Sequence, residues 1–365
     1  MPGIYIHVPF CDGKCPYCDF YSLRGEPALL DAYTQKAAEA LRGWAGEAVG
    51  TVYFGGGTPS LLGAGRLAFL LDTVQKYFRL ASGAEVTAEA NPTRVDRAFF
   101  AGLRAAGFNR LSMGMQSADR DELRLLGRAH TPEDVAQAVG AAQSAGFGNI
   151  SLDLMLALPG GGVEKLGGSI AFACGLGVQH ISSYILKVEP GTPFAWRGAA
   201  LPDEDEAAAQ YLFCVGELAR RGYAQYEISN FARPGFESRH NLAYWQAEEY
   251  IGIGPGAHSF YGGRRFHYPR DLRGFLAGAP PADDGPGGSF EEFAMLNLRL
   301  ARGLAQEDCG ARFGQEGVDA FQRILQNTKN CPPHLLQADS ARVRFTPEGF
   351  LVSNALLLRL LEGIG

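Results

Sequence analysis

The chain has 365 residues, 46% of them hydrophobic, and a formal net charge of −6. That length supports one large domain with a smaller companion, and the composition supplies a sizeable core. With 33 Lys and Arg against 39 Asp and Glu and no basic block, the charge reads as ordinary solubility and argues against a nucleic-acid groove.

In chain order, residues 3–8 (GIYIHV) read as a strand and 29–44 as a helix. Strand 49–54 precedes helix 65–78, and strand 84–89 precedes helix 94–106. Strand 109–113 leads to helical stretches near 119–127 and 131–145. Strand 149–155 precedes helix 163–175, strand 180–186 precedes helix 203–220, and a shorter strand is expected at 223–228. The strands look short and nonpolar. The helices carry a 3.6-residue pattern, as in Phe99, Phe100, Leu103 and Ala106. This is βαβ grammar with a parallel sheet. Six units before residue 222 fit an α/β fold of the partial (β/α)6, TIM-type kind, with a full barrel and an open doubly wound sheet as competitors.

Beyond residue 230 the signals weaken. The stretch 278–289 (GAPPADDGPGGS) reads as a linker or mobile loop. Helices are expected at 290–301 and 315–326, then strand, turn, strand and helix to the end. That predicts a small, mainly helical C-terminal domain with a winged-helix-like hairpin. Without a basic stripe it reads better as a packing lid than as a nucleic-acid module. The expected domains are 1–230 for the barrel, 231–289 for its extension, and 290–365 for the C-terminal unit.

Seven cysteines, three of them within eight residues, do not make a disulfide framework. The chain opens without a basic leader and long apolar run. No segment reaches the roughly eighteen apolar residues of a membrane span. A reducing, cytoplasmic setting is expected, with peripheral membrane contact through a partner left open.

The close trio lies in FCDGKCPYCDF, directly after the first strand. Cys11, Cys15 and Cys18 can converge on one centre at the end of the barrel where sites lie. Soft sulfur ligands select an iron–sulfur cluster or zinc, with inert thiols as the third reading. FGGGTPS follows the second strand. Gly55, Gly56 and Gly57 can bring backbone close to a ligand and Thr58 adds a hydroxyl, although a tight turn would explain the run too. Glu89, Gln116 and Asp153 recur near strand ends, on what would be one rim. Polar groups there need partners, from a ligand or from one another. Arg128 in LGRAH is a candidate to pair with a carboxylate.

The chain resembles radical S-adenosylmethionine (SAM) proteins of the coproporphyrinogen-oxidase-like group. The resemblance rests on YIHVPFC, CxxxCxYC, FGGGTPS, EANP, MGMQS, LGRAH, SLDLM, ISSYIL, YEISNFA and GIGPGAHS, spread over nearly the whole chain. It implies that Cys11, Cys15 and Cys18 ligate a [4Fe-4S] cluster whose fourth iron binds SAM. One electron from the cluster would cleave SAM to methionine and a 5′-deoxyadenosyl radical. By matching motif, Tyr17 packs beside the cluster and Tyr5 approaches SAM. Gly56, Gly57 and Thr58 face its methionine end, and Glu89, Gln116, Arg128 and Asp153 complete its pocket. A reductant such as flavodoxin or ferredoxin is implied.

Two features then divide the group. The oxygen-independent coproporphyrinogen III oxidase carries a further cysteine where this chain has Phe20, and a longer segment before its cluster. HNLAYW, residues 240–245, matches the HNxxYW motif of the haem-chaperone branch. That match implies binding of haem or a related porphyrin, with His240 as an iron ligand, Tyr244 and Trp245 against the porphyrin, and a haem-dependent respiratory protein as acceptor. The rival readings are the oxidase, which decarboxylates propionates to vinyl groups, and radical SAM chemistry on another substrate. Ala157 stands where the branch usually has glycine, a change expected to tune packing. Monomer and dimer remain equally compatible.

Overall fold

The computed structural model describes residues 1–198 and 200–364. Six strands come first: β1 (Gly3–Val8), β2 (Ala48–Gly56), β3 (Arg79–Ala90), β4 (Arg110–Gln116), β5 (Ile150–Leu156) and β6 (His180–Ile185). Each pairs in parallel with the next. Between them run α1 (Pro27–Arg42), α2 (Gly63–Tyr77), α3 (Arg97–Ala106), α4 (Arg120–Leu125), α5 (Pro132–Ser144) and α6 (Val163–Gly175). This is the expected α/β partial barrel.

The strands are not uniformly nonpolar, as the sequence suggested. Their residues alternate with the pleat. Ile4, Ile6, Val8, Val52, Phe54, Leu111, Met113, Leu152, Leu154 and Ile181 are fully buried in the core shared with the helices. The residues between them are polar: Tyr5, His7, Thr51, Tyr53, Thr87, Glu89, Arg110, Ser112, Ser151, Asp153, His180 and Ser182. One face of the sheet therefore packs on helices, and the other encloses a polar interior.

Both edges of the six-stranded unit are extended. On β6, β8 (Asn230–Ala232) and then β7 (Ala224–Glu227) add antiparallel. On β1, β9 (Tyr250–Ile253) adds in parallel. The sheet continues antiparallel through β10 (His258–Tyr261), β11 (Arg264–His267) and β12 (Ala282–Pro286), giving twelve strands among the described residues. The segment expected as a linker at 278–289 thus contains β12. Its Gly and Pro content concealed an edge strand, which tolerates both.

The C-terminal region is mainly helical, with helices Phe290–Asn297, Gln306–Asn327, Pro347–Leu351 and Ser353–Leu360. A small sheet joins β13 (Leu304–Ala305), β15 (Arg342–Phe345) and β14 (Leu336–Ala338). The second strand expected near 350 is helical instead. Thr346 caps it, its side chain accepting from Gly349 N, and Pro347 occupies the first turn. The region contacts the barrel at 226–228 and 246–247, where Ile228 N donates to Arg299 O and Arg312 donates to Ala247 O. Among the described residues, none of this region lines the cavity at the cysteine end of the barrel.

Ala157 follows β5 with φ +56°. Its N–H donates to Gln210 Oε1 at 3.0 Å, which holds the left-handed turn. The departure from glycine is therefore felt in the backbone more than in packing. A left-handed L-residue costs roughly 1–2 kcal/mol, partly offset by the smaller entropy of the unfolded alanine chain. Ala157→Gly is expected to stabilise the protein by about 0.5–1 kcal/mol. Parallel urea unfolding of the two proteins checks this, and an unchanged or lower midpoint would count against strain in the turn.

Candidate functional site

The cysteine loop leaves the C-terminal end of β1. A bridge between Phe10 and Leu23 closes its base, with Cys11 N donating to Leu23 O and Leu23 N to Pro9 O, both at 2.9 Å. Inside it, Cys18 N donates to Cys15 O at 3.1 Å. The glycine loop after β2 clasps this structure. Gly57 N donates to Val8 O at 2.9 Å, and Thr58 N to Phe10 O at 2.7 Å. A Cβ on Gly57 would lie 2.5 Å from Phe10 O, and one on Gly56, at φ +105°, would lie 2.6 Å from the His7 ring. These glycines are required first for loop-to-loop approach. Thr58 Oγ1 then lies 3.4 Å from Cys11 Sγ.

Arg128 reaches the loop from the opposite side. Its guanidinium donates to Gly114 O at 2.7 Å and to Cys15 Sγ at 3.6 Å. The expected carboxylate partner is thus replaced by a carbonyl and a sulfur. Short helix α4 and Gly127, at φ +65° and packed on Pro16, aim the side chain there. Arg128 Nε is buried without a partner.

These elements bound a cavity of about 740 Å³ at the C-terminal end of the strands. Cys11, Cys15, Cys18, Tyr17, Gly56, Gly57, Thr58, Glu89, Gln116, Arg128 and Asp153 all line it. Tyr5 does not. It lies deeper in the barrel, its hydroxyl 3.0 Å from His7 Nδ1. Gln116 ends β4 with φ +68°, a strained conformation at the cavity wall. The cavity also takes in Phe20, Ser112, Met155 and Tyr184, and the ion pair of Arg94 with Asp12 at 2.7 Å. Tyr184 was legible in principle, since it occupies the same alternate face of β6 as His180 and Ser182.

The cavity floor holds two carboxylates. Tyr53 OH donates to Glu89 at 2.8 Å and Ser112 OH to Asp153 at 3.3 Å. Burial, and then the nearby Asp153, push the Glu89 carboxyl up to about 7. Burial also raises Asp153. Such a floor is primed for a cationic ligand, whose charge both groups would neutralise.

His240 lies at the other mouth of the barrel, beside Gly3 and Thr51 at the start of β1 and β2. That is roughly 16 Å of strand away from the cysteine loop. The ring is buried. Thr51 Oγ1 sits 2.8 Å from Nδ1 and Tyr244 OH 2.8 Å from Nε2. Burial drives its pKa down to about 3, so the imidazole is neutral. The structure does not bring it to the cavity.

The thiols test the competing metals. A single tetrahedral zinc, with Zn–S of about 2.3 Å, holds its sulfurs roughly 3.8 Å apart. Among the described residues, the one His, Cys, Asp or Glu trio whose ligand atoms all lie within 4.8 Å is His258, His267 and Asp284, not the cysteines. The three sulfurs are therefore not all gathered within 4.8 Å of one another, as ligands of one tetrahedral zinc would be. The room above them, the carboxylates below and the unpartnered Arg128 Nε fit a further charged ligand.

Residues 5–173 match the radical SAM superfamily. The chain is 40% identical to the Heme chaperone HemW of Mycobacterium tuberculosis, over 98% of this chain and 94% of that protein. It is 34% identical to the Heme chaperone HemW of Bacillus subtilis, over 97% of each. Its fold is similar to that of coproporphyrinogen III oxidase (HemN) from Escherichia coli, with a TM-score of 0.83 and 21% identity over 98% of this chain and 90% of that one.

Two outcomes follow from the geometry. Gly57→Ala should force the two loops apart and lower reconstituted iron several-fold while circular dichroism stays unchanged; full iron loading would show the clasp to be dispensable. SAM is a cation, so it should favour ionised Glu89. Its Kd should rise as pH falls through about 7, by up to tenfold per pH unit, and Glu89→Gln should flatten the profile. Titrations between pH 6 and 8.5 measure this, and a flat profile in the unaltered protein would remove Glu89 from SAM recognition.

Proposed function

Since the chain belongs to the radical SAM superfamily and, within it, to the Heme chaperone HemW family, we propose that it binds haem and delivers it to a haem-dependent respiratory protein. The family carries a [4Fe-4S] cluster and SAM, and Cys11, Cys15 and Cys18 are the residues that would hold the cluster. When bound, the cluster supplies the electron for reductive cleavage of SAM. This chain's residues do the rest. The clasp of Gly57 and Thr58 fixes the cysteine loop. Arg128 places a fixed positive charge beside Cys15, within reach of the sulfur a cluster iron would bind. Glu89 and Asp153 offer negative charge to SAM, and the barrel wall limits water.

The observation that favours chaperone over oxidase is Phe20. It lines the cavity mouth with 63% of its surface exposed, where the oxidase pattern has a further thiol. We assign residues 1–230 to the barrel, 231–289 to its extension and 290–365 to the C-terminal domain. His240 stays a proposed haem contact. Its neutral imidazole suits iron, but ligation requires the hydrogen bond with Tyr244 or Thr51 to break. Among the described residues, no helix is long and apolar enough to cross a membrane. We place the protein in the cytoplasm, reaching any membrane-bound acceptor by docking.

Anaerobic reconstitution should give about four irons per chain, a number set by the cluster type. Cys15→Ser should lose most of that iron; zinc in its place would defeat the cluster assignment. Haem titration of the reconstituted protein should show saturable binding, weakened in His240→Ala. Supplying coproporphyrinogen III, SAM and reductant should yield no vinyl groups. Robust vinyl formation would replace the chaperone by the oxidase.

A further inference from the structure

A second ligand-bearing cluster lies outside the cavity, on the antiparallel extension. His258 on β10 and His267 on β11 are directly opposite in register. Their rings stack with centroids 5.0 Å apart. Asp284 on β12 joins them: its carboxylate lies 2.8 Å from His267 Nδ1 and 3.9 Å from His258 Nδ1. One ligand atom from each of the three lies within 4.8 Å of the others.

The backbone aims Asp284 at this point. Arg265 pairs with Gly285 and Phe266 with Asp283, so Asp284 is the extra residue of a β-bulge. A bulge breaks the ladder and re-aims a side chain. A regular strand would have kept its alternation and left Asp284 without this position.

Charge pairing isolates the trio further. Arg264 is taken by Asp283, Arg265 by Glu292 and Arg270 by Asp19. Each arginine around the cluster has its own carboxylate. Asp284 is left facing two imidazoles, which are its partners among the described residues. Two imidazoles and one carboxylate, half-exposed and converging, form the donor set of borderline divalent transition metals. A water would complete four-coordination.

We propose that His258, His267 and Asp284 form a binding site for a divalent transition metal of the zinc class, distinct from the cysteine loop. The bound ion ties three adjacent edge strands across the bulge. It clamps the hairpin from which the next segment reaches the cysteine loop, where Leu272 N donates to Tyr21 OH and Arg270 to Asp19.

The test uses the cluster-loaded full chain under anaerobic conditions, so that the cysteines are already occupied. Equilibrium dialysis against zinc, with zinc and iron counted by mass spectrometry, should find one zinc per chain and unchanged iron. In the double variant His258→Ala, His267→Ala, zinc affinity should fall by about 100-fold or more. Asp284→Asn, which keeps the side chain's shape, should weaken it by about tenfold or more. His334→Ala, remote in the C-terminal region, should leave it intact. Iron content and circular dichroism report the folding of each variant. Zinc binding that survives the double variant, zinc that displaces iron, or no stoichiometric zinc at all would each overturn the proposal.

Discussion

The structure depends on one constraint: the inner face of the parallel sheet is polar, and polar groups removed from water must find partners. Parallel barrels are usually filled with branched apolar side chains. Here the inward positions of successive strands carry hydroxyls, carboxylates, imidazoles and the buried Arg110. Most of them are paired, although Thr87 Oγ1 and Arg110 Nε are buried without a hydrogen-bond partner. Tyr5 meets His7, Tyr53 meets Glu89, Ser112 meets Asp153, and Ser151 meets His180, which in turn meets Tyr226. The strands cannot close as a simple oily core, and the polar interior sets what each mouth of the barrel does.

At the mouth opposite the cysteines, the interior is plugged. Thr51, His240 and Tyr244 bond in a row, and His240 lies against Tyr53. Glu85 accepts from the first backbone N–H groups of the helix that carries His240, a favourable charge at a helix N-terminus. At the other mouth, the same ladder of polar groups ends in Glu89 and Asp153 without a plug. That asymmetry leaves a cavity where the strands point their C-terminal ends, and the cysteine loop stands over it. The perturbed carboxylate of Glu89 follows from its place on this boundary, enclosed by protein yet facing open space.

Much of this was legible in the sequence. The βαβ order is written in the local periodicity, and its six units are the six parallel strands of the barrel. The cavity residues are legible because the cysteine and glycine motifs directly follow strands and the polar residues recur at strand ends, all on one rim of a barrel. The misses share a cause: they depend on contacts distant in sequence. Tyr5 lies deeper than the cavity lining, a depth along the barrel that a motif cannot give. Arg128 was assigned a carboxylate because charge suggests an opposite charge, while the actual partners are a carbonyl and a thiol. The strand at β12 was hidden by glycine and proline. The bulge that turns Asp284 toward two histidines leaves no trace in composition.

The fold alone does not separate the two porphyrin-related activities, since the oxidase has a similar architecture at low identity. The separation lies in small chemical differences mounted on the shared frame. A thiol at position 20 would add a soft, ionisable ligand at the rim; Phe20 adds an apolar plane instead. Cys11, Cys15 and Cys18 stay fixed because the loop is closed at its base and clasped by Gly57 and Thr58. Residue 20 lies beyond the third cysteine, more than half exposed, where the frame leaves it free to vary. The barrel thus fixes where the cysteine loop stands over the cavity, while the exposed end of that loop presents an apolar Phe20 to whatever enters.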